Sequence, residues 1–475
     1  MAEPVTLIGL DFGTTTSSAV VADADVTRSA GTGRTEFGDL AVRFRSDLYF
    51  TPISAAGQLD IARLESFLDD WLAAGRVDPA QIFGGGALLT GLTARRDNTA
   101  ALVALIRRRL GDALIATADD PRLESWLAFM GSCAALSRVN PDRPVLNLDI
   151  GGGTTNLALG LNGEVVDTAC LFIGARHIEV EPGSYRIVAL SDFARAILDA
   201  LGIHREPGDE LLSSELDRFL TLQIAILESS AGAAAPDFPP TIAALLTQSR
   251  FRRSSTRMPD PLITFTGGVG ELIYAHAAGG PWPATTHFGD LGIDLAQRIV
   301  ASPVLSPHIR SHRPASAGRA TALGLMRHCT DVSGSTLFLP RPELLPLSDI
   351  PIFGTIKSAS SDDDILPLLD LVRHSSRGGC LIVEMTSPSA ADVRAIGERL
   401  ASLVGGQHFP ADQLLVLLVR ENIGKALGNF VTSWQQRPLN LIVIDEVPPR
   451  DAQYLRLGRP HRGNVPVSFY GLNDV

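Results

Sequence analysis

The sequence predicts an α/β protein of two duplicated lobes with an additional C-terminal α/β domain, and three observations carry the prediction. First, the pattern Leu7-Ile-Gly-Leu-Asp11-Phe-Gly13-Thr14-Thr15-Thr16 recurs as Val145-Leu-Asn-Leu-Asp149-Ile-Gly151-Gly152-Gly153-Thr154-Thr155-Asn156, with Asp149 lying 138 residues beyond Asp11. In both, mostly apolar residues end in an Asp, and a Gly-Thr turn leads into another apolar run, which reads as strand, tight turn, strand. Second, Leu262-Ile-Thr-Phe-Thr266-Gly267-Gly268-Val269-Gly270-Glu271 reads as a strand meeting a glycine-rich helix start. Third, Cys380 to Met385, Leu414 to Val419 and Leu439 to Asp445 are apolar strands separated by helical patterns at Ala390 to Leu403 and Asn422 to Trp434, the spacing of a parallel sheet. A chain of 475 residues exceeds what one core usually supports. Domains are therefore expected at 1–144, 145–335 and 336–475.

Along the first lobe, strands are expected at Thr6 to Leu10, Ser17 to Val21 and Ala87 to Thr90. Helices are expected at Leu59 to Ala74 and Asn98 to Leu110, the latter capped by Asp97 or Asn98. Pro141-Asp-Arg-Pro144 marks the boundary. The second lobe repeats the opening with Val145 to Asp149, Asn156 to Leu161, an Asn162-Gly163 turn and Glu164 to Thr168, as an internal duplication demands. Helices follow at Ser191 to Leu201, with Ser191 as cap, and at Glu210 to Glu228, and Ala231 to Pro240 reads as a loop. Asp290 to Val300 and Ala315 to His328 read as the last helices of the second lobe, and Leu337 to Pro351 as a linker.

The two hairpins suit a phosphate-gripping loop. Glycine lets backbone approach an anion, turn N–H groups point inward, and threonine hydroxyls add donors. Asp11 and Asp149 at the strand ends suit Mg²⁺ held largely through water. Gly267 and Gly268 open a helix where a nucleotide can lie against bare backbone. Together these elements form a two-lobed nucleotide clamp. Lysine occurs only at Lys357 and Lys425, so any cation placed on a phosphate by residues before 357 must be arginine; Arg45, Arg95 and Arg96 are candidates.

Composition narrows the function classes. Hydrophobic residues make up 45% of the chain and mean hydropathy is +0.16, as for a well-packed globular protein. The net charge of −11 and a pI near 5.4 argue against a nucleic-acid or anionic-membrane surface. No stretch reaches membrane-spanning length, and a core strand follows Met-Ala-Glu almost at once, so a cytoplasmic protein is expected. Cys133, Cys170, Cys329 and Cys380 lack metal-ligand spacing and read as reduced, mostly buried thiols. His308 and His312 are four apart but confined by Pro307 and Pro314, so they read as structural.

The clamp motifs resemble the actin, Hsp70 and sugar-kinase superfamily, in which duplicated actin-like (ribonuclease H-like) lobes hold ATP and Mg²⁺. A more specific likeness lies outside the clamp. Phe44-Arg45-Ser-Asp-Leu-Tyr49-Phe50-Thr51-Pro52, Thr90-Gly91-Leu-Thr-Ala94-Arg95-Arg-Asp-Asn98 and Val166-Asp167-Thr168-Ala169-Cys170 resemble signatures of the ethanolamine ammonia-lyase reactivating factor family. So do Phe288-Gly289-Asp290-Leu-Gly292, Arg319-Ala320-Thr321, Ser333-Gly334-Ser335-Thr336 and the block from Leu441 to Val467, in family order over nearly the whole chain.

The resemblance implies a chaperone-like ATPase that frees spent cobalamin from adenosylcobalamin-dependent ethanolamine ammonia-lyase so that intact cofactor can enter. Adenosylcobalamin is then met only through the lyase, and association with a bacterial microcompartment stays open. Asp11 and Asp149 are implied as catalytic and metal-holding, with Gly13 to Thr16, Gly151 to Thr155, Gly267 and Gly268 on the nucleotide. The chain departs from the family after Arg319-Ala320-Thr321, where Leu323-Gly324-Leu325-Met326 replaces a glycine-rich stretch and implies a stiffer hinge. Around Gly131-Ser-Cys-Ala-Ala-Leu136 there is no Glu or Gln to orient an attacking water, and Glu124 lies upstream, which implies slow hydrolysis. A small-molecule kinase of the same superfamily needs a catalytic carboxylate that no third motif plainly supplies. An actin-like filament former would polymerise with nucleotide.

Overall fold

The computed structural model describes residues 4–472 apart from 14, 31–32, 55–57, 91–97, 111–113, 119–120, 235–239, 253–259, 316, 386–387, 407–408, 449 and 451. The expectations for Thr14, Arg95, Arg96 and Asp97 lie outside the described residues.

The first lobe opens with the near-continuous apolar strand β1 (Val5–Phe12), which turns back into β2 (Thr16–Arg28). β3 (Thr35–Arg45), β4 (Tyr49–Phe50), helix α1 (Ile61–Ala74), β5 (Ile82–Thr90), helix α2 (Thr99–Leu110) and β6 (Leu114–Ala118) complete a six-stranded sheet of order β3-β2-β1-β5-β6, with β4 beside β2. β1 and β2 run antiparallel while β5 and β6 run parallel to β1, so a hairpin is followed by crossovers. α1 starts where the Asp60 carboxylate accepts the Arg63 N–H. It packs Leu64, Leu68 and Trp71 against Ile8, Leu10 and Phe12. The opposite face of β1 carries Leu7, Gly9 and Asp11, since alternate residues share a face.

Helix α3 (Pro121–Ser132) and the short α4 (Ala134–Arg138) lead to the second lobe. There β7 (Val145–Ile150), β8 (Thr155–Leu161) and β9 (Glu164–Leu171) repeat the antiparallel meander of the first lobe. After the β10 (Ile178–Val180) and β11 (Ile187–Leu190) pair come α5 (Asp192–Ala200), α6 (Ser213–Ser230), α7 (Pro240–Leu245) and β12 (Thr247–Ser249). The expected Ser191 cap is present: its hydroxyl accepts the Ala194 N–H. β13 (Leu262–Thr266) then lies parallel to β7, giving the order β12-β9-β8-β7-β13, and α8 (Gly267–Ala277) and α9 (Gly292–Ala301) cover the sheet. Hairpin, third strand, then a parallel neighbour of the first strand is the order of both lobes. The fold is the duplicated actin-like arrangement.

Two helices tie the lobes together. α10 (Ala320–His328), grouped by sequence with the second lobe, packs instead on the first: Ala322, Leu323 and Met326 pack against Val5, Leu7 and Phe83. The reason is steric, because a Cβ on Gly9 would stand 2.0 Å from the Ala322 carbonyl, so glycine lets the helix lie directly on β1. α3 lies across the second lobe, with Phe129, Met130 and Cys133 against Val145, Ala158 and Leu262.

The segment expected to be a linker carries a strand of the third unit. After β14 (Thr330–Val332), strand β15 (Leu347–Lys357) starts four residues before Pro351. Pro346 and Pro351 hid it, and β15 bends at Asp349, whose φ is +56°. α11 (Asp362–His374), β16 (Gly379–Glu384), α12 (Ala390–Gly406), β17 (Leu414–Val419), α13 (Gly424–Val431) and β18 (Asn440–Ile444) form the expected parallel sheet. β19 (Ala452–Leu457), β20 (Pro466–Leu472) and β14 extend it to seven strands in the order β14-β20-β19-β15-β16-β17-β18. No helix among the described residues is long and apolar enough to cross a membrane.

Candidate functional site

The two Gly-Thr hairpins close in the same way. The Gly13 N–H donates to the Thr16 carbonyl and the Gly151 N–H to the Thr154 carbonyl, each at 2.9 Å. These two N–H groups, expected to point at an anion, are therefore spent on the turns. Each hairpin has its own brace. In the first lobe Thr51 donates its hydroxyl to the Gly13 carbonyl at 2.7 Å and its N–H to the Thr15 carbonyl at 2.8 Å, while Ser17 and Thr51 share a hydroxyl contact at 2.9 Å. In the second, Ala175 N–H reaches the Gly151 carbonyl and Arg176 N–H the Gly152 carbonyl. A Cβ on Gly174 would fall 2.4 Å from the Gly152 carbonyl, so this strut requires glycine.

The hairpins meet. A Cβ on Gly152 would fall 1.6 Å from Thr15 Oγ1, so the hydroxyl of one lobe rests on the bare backbone of the other. Beyond them the space opens: a Cβ on Gly153 or on Gly268 would touch nothing within 4 Å. Gly267 has φ +79° and presses on the Ile150 carbonyl, where a Cβ would clash at 2.4 Å, so the start of α8 is held against the second hairpin. Thr16 opens β2 opposite Phe50, and Thr154 closes its turn. Thr155 does not face the opening as expected, because its hydroxyl donates to the Ile173 carbonyl at 2.8 Å and is fully buried.

Asp11 and Asp149 are next to last in β1 and β7, and the Asp149 charge acts on Asp11. Burial first, then the Asp149 charge, pushes Asp11 up to about 7. Burial pushes Asp149 up to about 6 against the opposing hydrogen bond from Thr266. That bond ends a relay that no motif marks, in which Asn147 Nδ2 donates to Thr266 Oγ1 at 2.9 Å and Thr264 Oγ1 donates to Asn147 Oδ1 at 3.1 Å. Asn147 could have been found, since it lies two residues before Asp149 and shares its face. Behind it, Cys133 touches Thr264 at 3.4 Å, and burial pushes its thiol up to about 11. Cys133, Cys170, Cys329 and Cys380 are all free thiols, as expected.

Four buried polar atoms around the hairpins have no hydrogen-bond partner among the described residues: Asp11 Oδ1, Thr15 Oγ1, Asn156 Oδ1 and Arg176 Nη1. Buried polar groups are rarely left so, and these mix carboxylate, hydroxyl, amide and guanidinium, a set that accepts a hydrated cation and an anion together. No group of three or more His, Cys, Asp and Glu suited to a metal occurs among the described residues. Two carboxylates alone fit Mg²⁺, which keeps water and takes phosphate oxygens, rather than a tightly caged metal. The residues present thus fit Mg²⁺ and a nucleotide phosphate.

Other candidates lie elsewhere. His308 accepts the Ile263 N–H at Nδ1 and meets the Arg143 guanidinium at Nε2, so its nitrogens serve the fold. The Asp290 carboxylate accepts the Gly292 N–H at 2.9 Å, at the start of α9. Arg45 ends β3 opposite Val20. Burial, and after it the Glu124 charge, raises the Cys170 thiol, and Ser132 donates back to the Ala128 carbonyl. The family blocks mostly build contacts between segments: Arg319 donates to the Ser46 carbonyl at 2.7 Å and pairs with Glu271 of α8 at 3.1 Å.

The chain is similar to two proteins named ethanolamine ammonia-lyase reactivase EutA. That of Escherichia coli (strain K12) is 30% identical over 475 residues, covering 98% of this chain and 97% of the relative. That of Salmonella typhimurium (strain LT2) is 30% identical over 484 residues, with the same coverage. Among solved structures, the Aquifex aeolicus PPX-GPPA enzyme is 14% identical and covers 68% of this chain and 90% of its own, with a TM-score of 0.35. The family described as ethanolamine utilisation protein EutA matches residues 3–472. With that match spanning nearly its whole length, this chain belongs to the EutA family.

Proposed function

We propose that this protein is an ATP-dependent, chaperone-like reactivating factor that releases damaged cobalamin from adenosylcobalamin-dependent ethanolamine ammonia-lyase and so allows intact cofactor to enter. The observation that carries the nucleotide part is the opposed pair of hairpins: Thr15 rests on Gly152, and the half-buried Asp11 of one lobe feels the charge of the buried Asp149 of the other. The lyase as partner is taken from the names of the two relatives and from the family.

Asp11 and Asp149 are the residues that would hold Mg²⁺, through its water. When bound, the ion supplies charge neutralisation to the phosphates. Gly13, Thr14, Thr15 and Thr16 meet the nucleotide from the first lobe, and Gly151, Gly152, Gly153 and Thr154 from the second. Gly268, with open space beyond its Cα, lies on the adenosine side. Thr155 serves instead to fix the second hairpin through Ile173.

Because one hairpin comes from each lobe, a triphosphate and a diphosphate favour different degrees of closure. Reversing a lobe equilibrium from 1:99 to 99:1 takes about 5.5 kcal/mol of differential affinity. Two or three charge-assisted hydrogen bonds at roughly 1.5–3 kcal/mol each supply it. Hydrolysis then acts as a switch whose output is strain on the lyase.

The deciding assay incubates cyanocobalamin-blocked ethanolamine ammonia-lyase with this protein, Mg²⁺ and fresh adenosylcobalamin, with and without ATP. Activity is expected to return only with ATP, and equal recovery without it would reject the proposal. In the same assay Asp149→Ala is expected to remain folded, with ATP turnover reduced at least tenfold, on the order of one lost charge interaction. Phosphate release with no acceptor present separates this reading from a kinase, and absence of nucleotide-dependent sedimentation separates it from a filament former.

A further inference from the structure

Resting on the nucleotide reading above, we infer that Arg176 is the side chain that distinguishes a triphosphate from a diphosphate, by contacting the terminal phosphate from the second lobe while stacked on the first. Its backbone belongs to the second hairpin, since the Arg176 N–H donates to the Gly152 carbonyl at 2.7 Å. Its guanidinium stays bonded to Glu179 of that lobe and also reaches the other. The central carbon lies 4.8 Å from the centre of the Phe50 ring, and Phe50 is paired with Thr16 at the exit of the first hairpin. One residue thus spans the flanks of both hairpins, with a cation held over an aromatic face.

The guanidinium has donors to spare. Nη2 reaches Glu179 at 3.2 Å, and Nη1 is buried with no hydrogen-bond partner among the described residues. Arginine stays charged, and its planar fork matches phosphate oxygens. A buried guanidinium N–H beside a pair of phosphate-type loops is an anion site short of its anion. The composition agrees, because neither lobe contains a lysine and the cation must be arginine. Of the candidates taken from sequence, Arg45 lies at the end of β3 and the other two are outside the described residues.

The test is calorimetric titration of wild type, Arg176→Gln, Arg176→Lys and Phe50→Leu with ATP and with ADP at constant Mg²⁺, after checking each fold by thermal melting. Wild type is expected to bind ATP more tightly than ADP. Arg176→Gln is expected to weaken ATP by about 10- to 100-fold and ADP by no more than about threefold, the scale of a lost charged contact. Arg176→Lys should recover part of the loss, as a point charge without the fork. Phe50→Leu should weaken ATP to an intermediate degree with ADP unchanged, and it carries the test alone if Arg176→Gln does not fold. Unchanged ATP affinity in the variants, or equal losses for both nucleotides, overturns the role of Arg176 while leaving the nucleotide site standing. Failure of wild type to bind either nucleotide overturns both.

Discussion

Asp11 ends a strand of apolar neighbours, and the cost of keeping a carboxylate there is expressed as proton affinity. Both site carboxylates start from 3.8 in the unfolded chain and rise to about 7 for Asp11 and about 6 for Asp149 on folding. The folded state therefore binds extra protons between roughly pH 4 and 7, and linkage makes the ligand-free protein lose stability as pH rises through that window. Scanning calorimetry is expected to give a higher melting temperature at pH 5.5 than at pH 8, with the difference largely removed in Asp11→Asn. An unaltered difference in that variant would show that other groups set it. Mg²⁺ with nucleotide is expected to act with the opposite sign, binding more tightly as the carboxylates deprotonate. At this scale the sequence was informative wherever a residue sat in a motif, as for the two aspartates and the glycines. It did not give the partners of Arg176, Thr51 and Asn147, because Phe50, Gly13 and Thr266 meet them only through pairing of strands and lobes.

Among the elements, the crossing of α3 and α10 joins the two lobes. A Cβ on Gly131 would stand 2.0 Å from the Ala320 carbonyl, and one on Gly324 would stand 2.2 Å from the Leu127 carbonyl. Both clashes are with backbone, which cannot rotate away. The segment from Leu323 to Met326, expected to stiffen a hinge, retains glycine at the point of contact and uses its large neighbours as core. Gly131→Val and Gly324→Val are each expected to destabilise the protein by at least about 1–3 kcal/mol through overpacking, read as a lowered denaturant midpoint. Gly268→Ala is the contrasting case: with open space at its Cβ it should leave the midpoint within about 0.5 kcal/mol while weakening nucleotide binding in calorimetry. Periodicity located α10 but could not say which sheet it lies on, because an apolar stripe specifies burial and not the partner. β15 is not legible in the sequence because prolines at 346 and 351 punctuate it, and its place beside β16 and β19 is a tertiary fact.

For the molecule as a whole, the third unit is fastened to the first lobe. Glu446, 3% exposed and held at φ +60°, accepts from Arg28 at 3.1 Å, from the Thr35 N–H and hydroxyl at 3.2 Å each, and from Asn422. Thr330 accepts the Gly85 N–H at 3.0 Å and touches Ser468 at 3.1 Å, while Arg450 pairs with Asp331. These contacts join the first lobe directly to the third unit. Glu446→Ala is expected to speed hydrogen exchange in β2 and β3 and to reduce reactivation of the blocked lyase, with ATP affinity unchanged. Unchanged exchange in both strands would show that the remaining contacts suffice. The Ser333 to Thr336 block leads into the third unit: Ser333 accepts the Val465 N–H, and Thr336 bonds Asp445.

The sequence by itself determined the duplicated hairpins, the aspartates at their strand ends, the glycine-rich start of α8, the parallel third sheet and the family. Each of these is written in neighbouring residues, through turn chemistry, period and spacing. Only the tertiary structure decided that Thr155 braces rather than faces the opening, that α10 lies on the first lobe, and that Arg176 spans both hairpins. Those outcomes depend on which surfaces meet, and close packing is settled by shape across residues far apart in the chain.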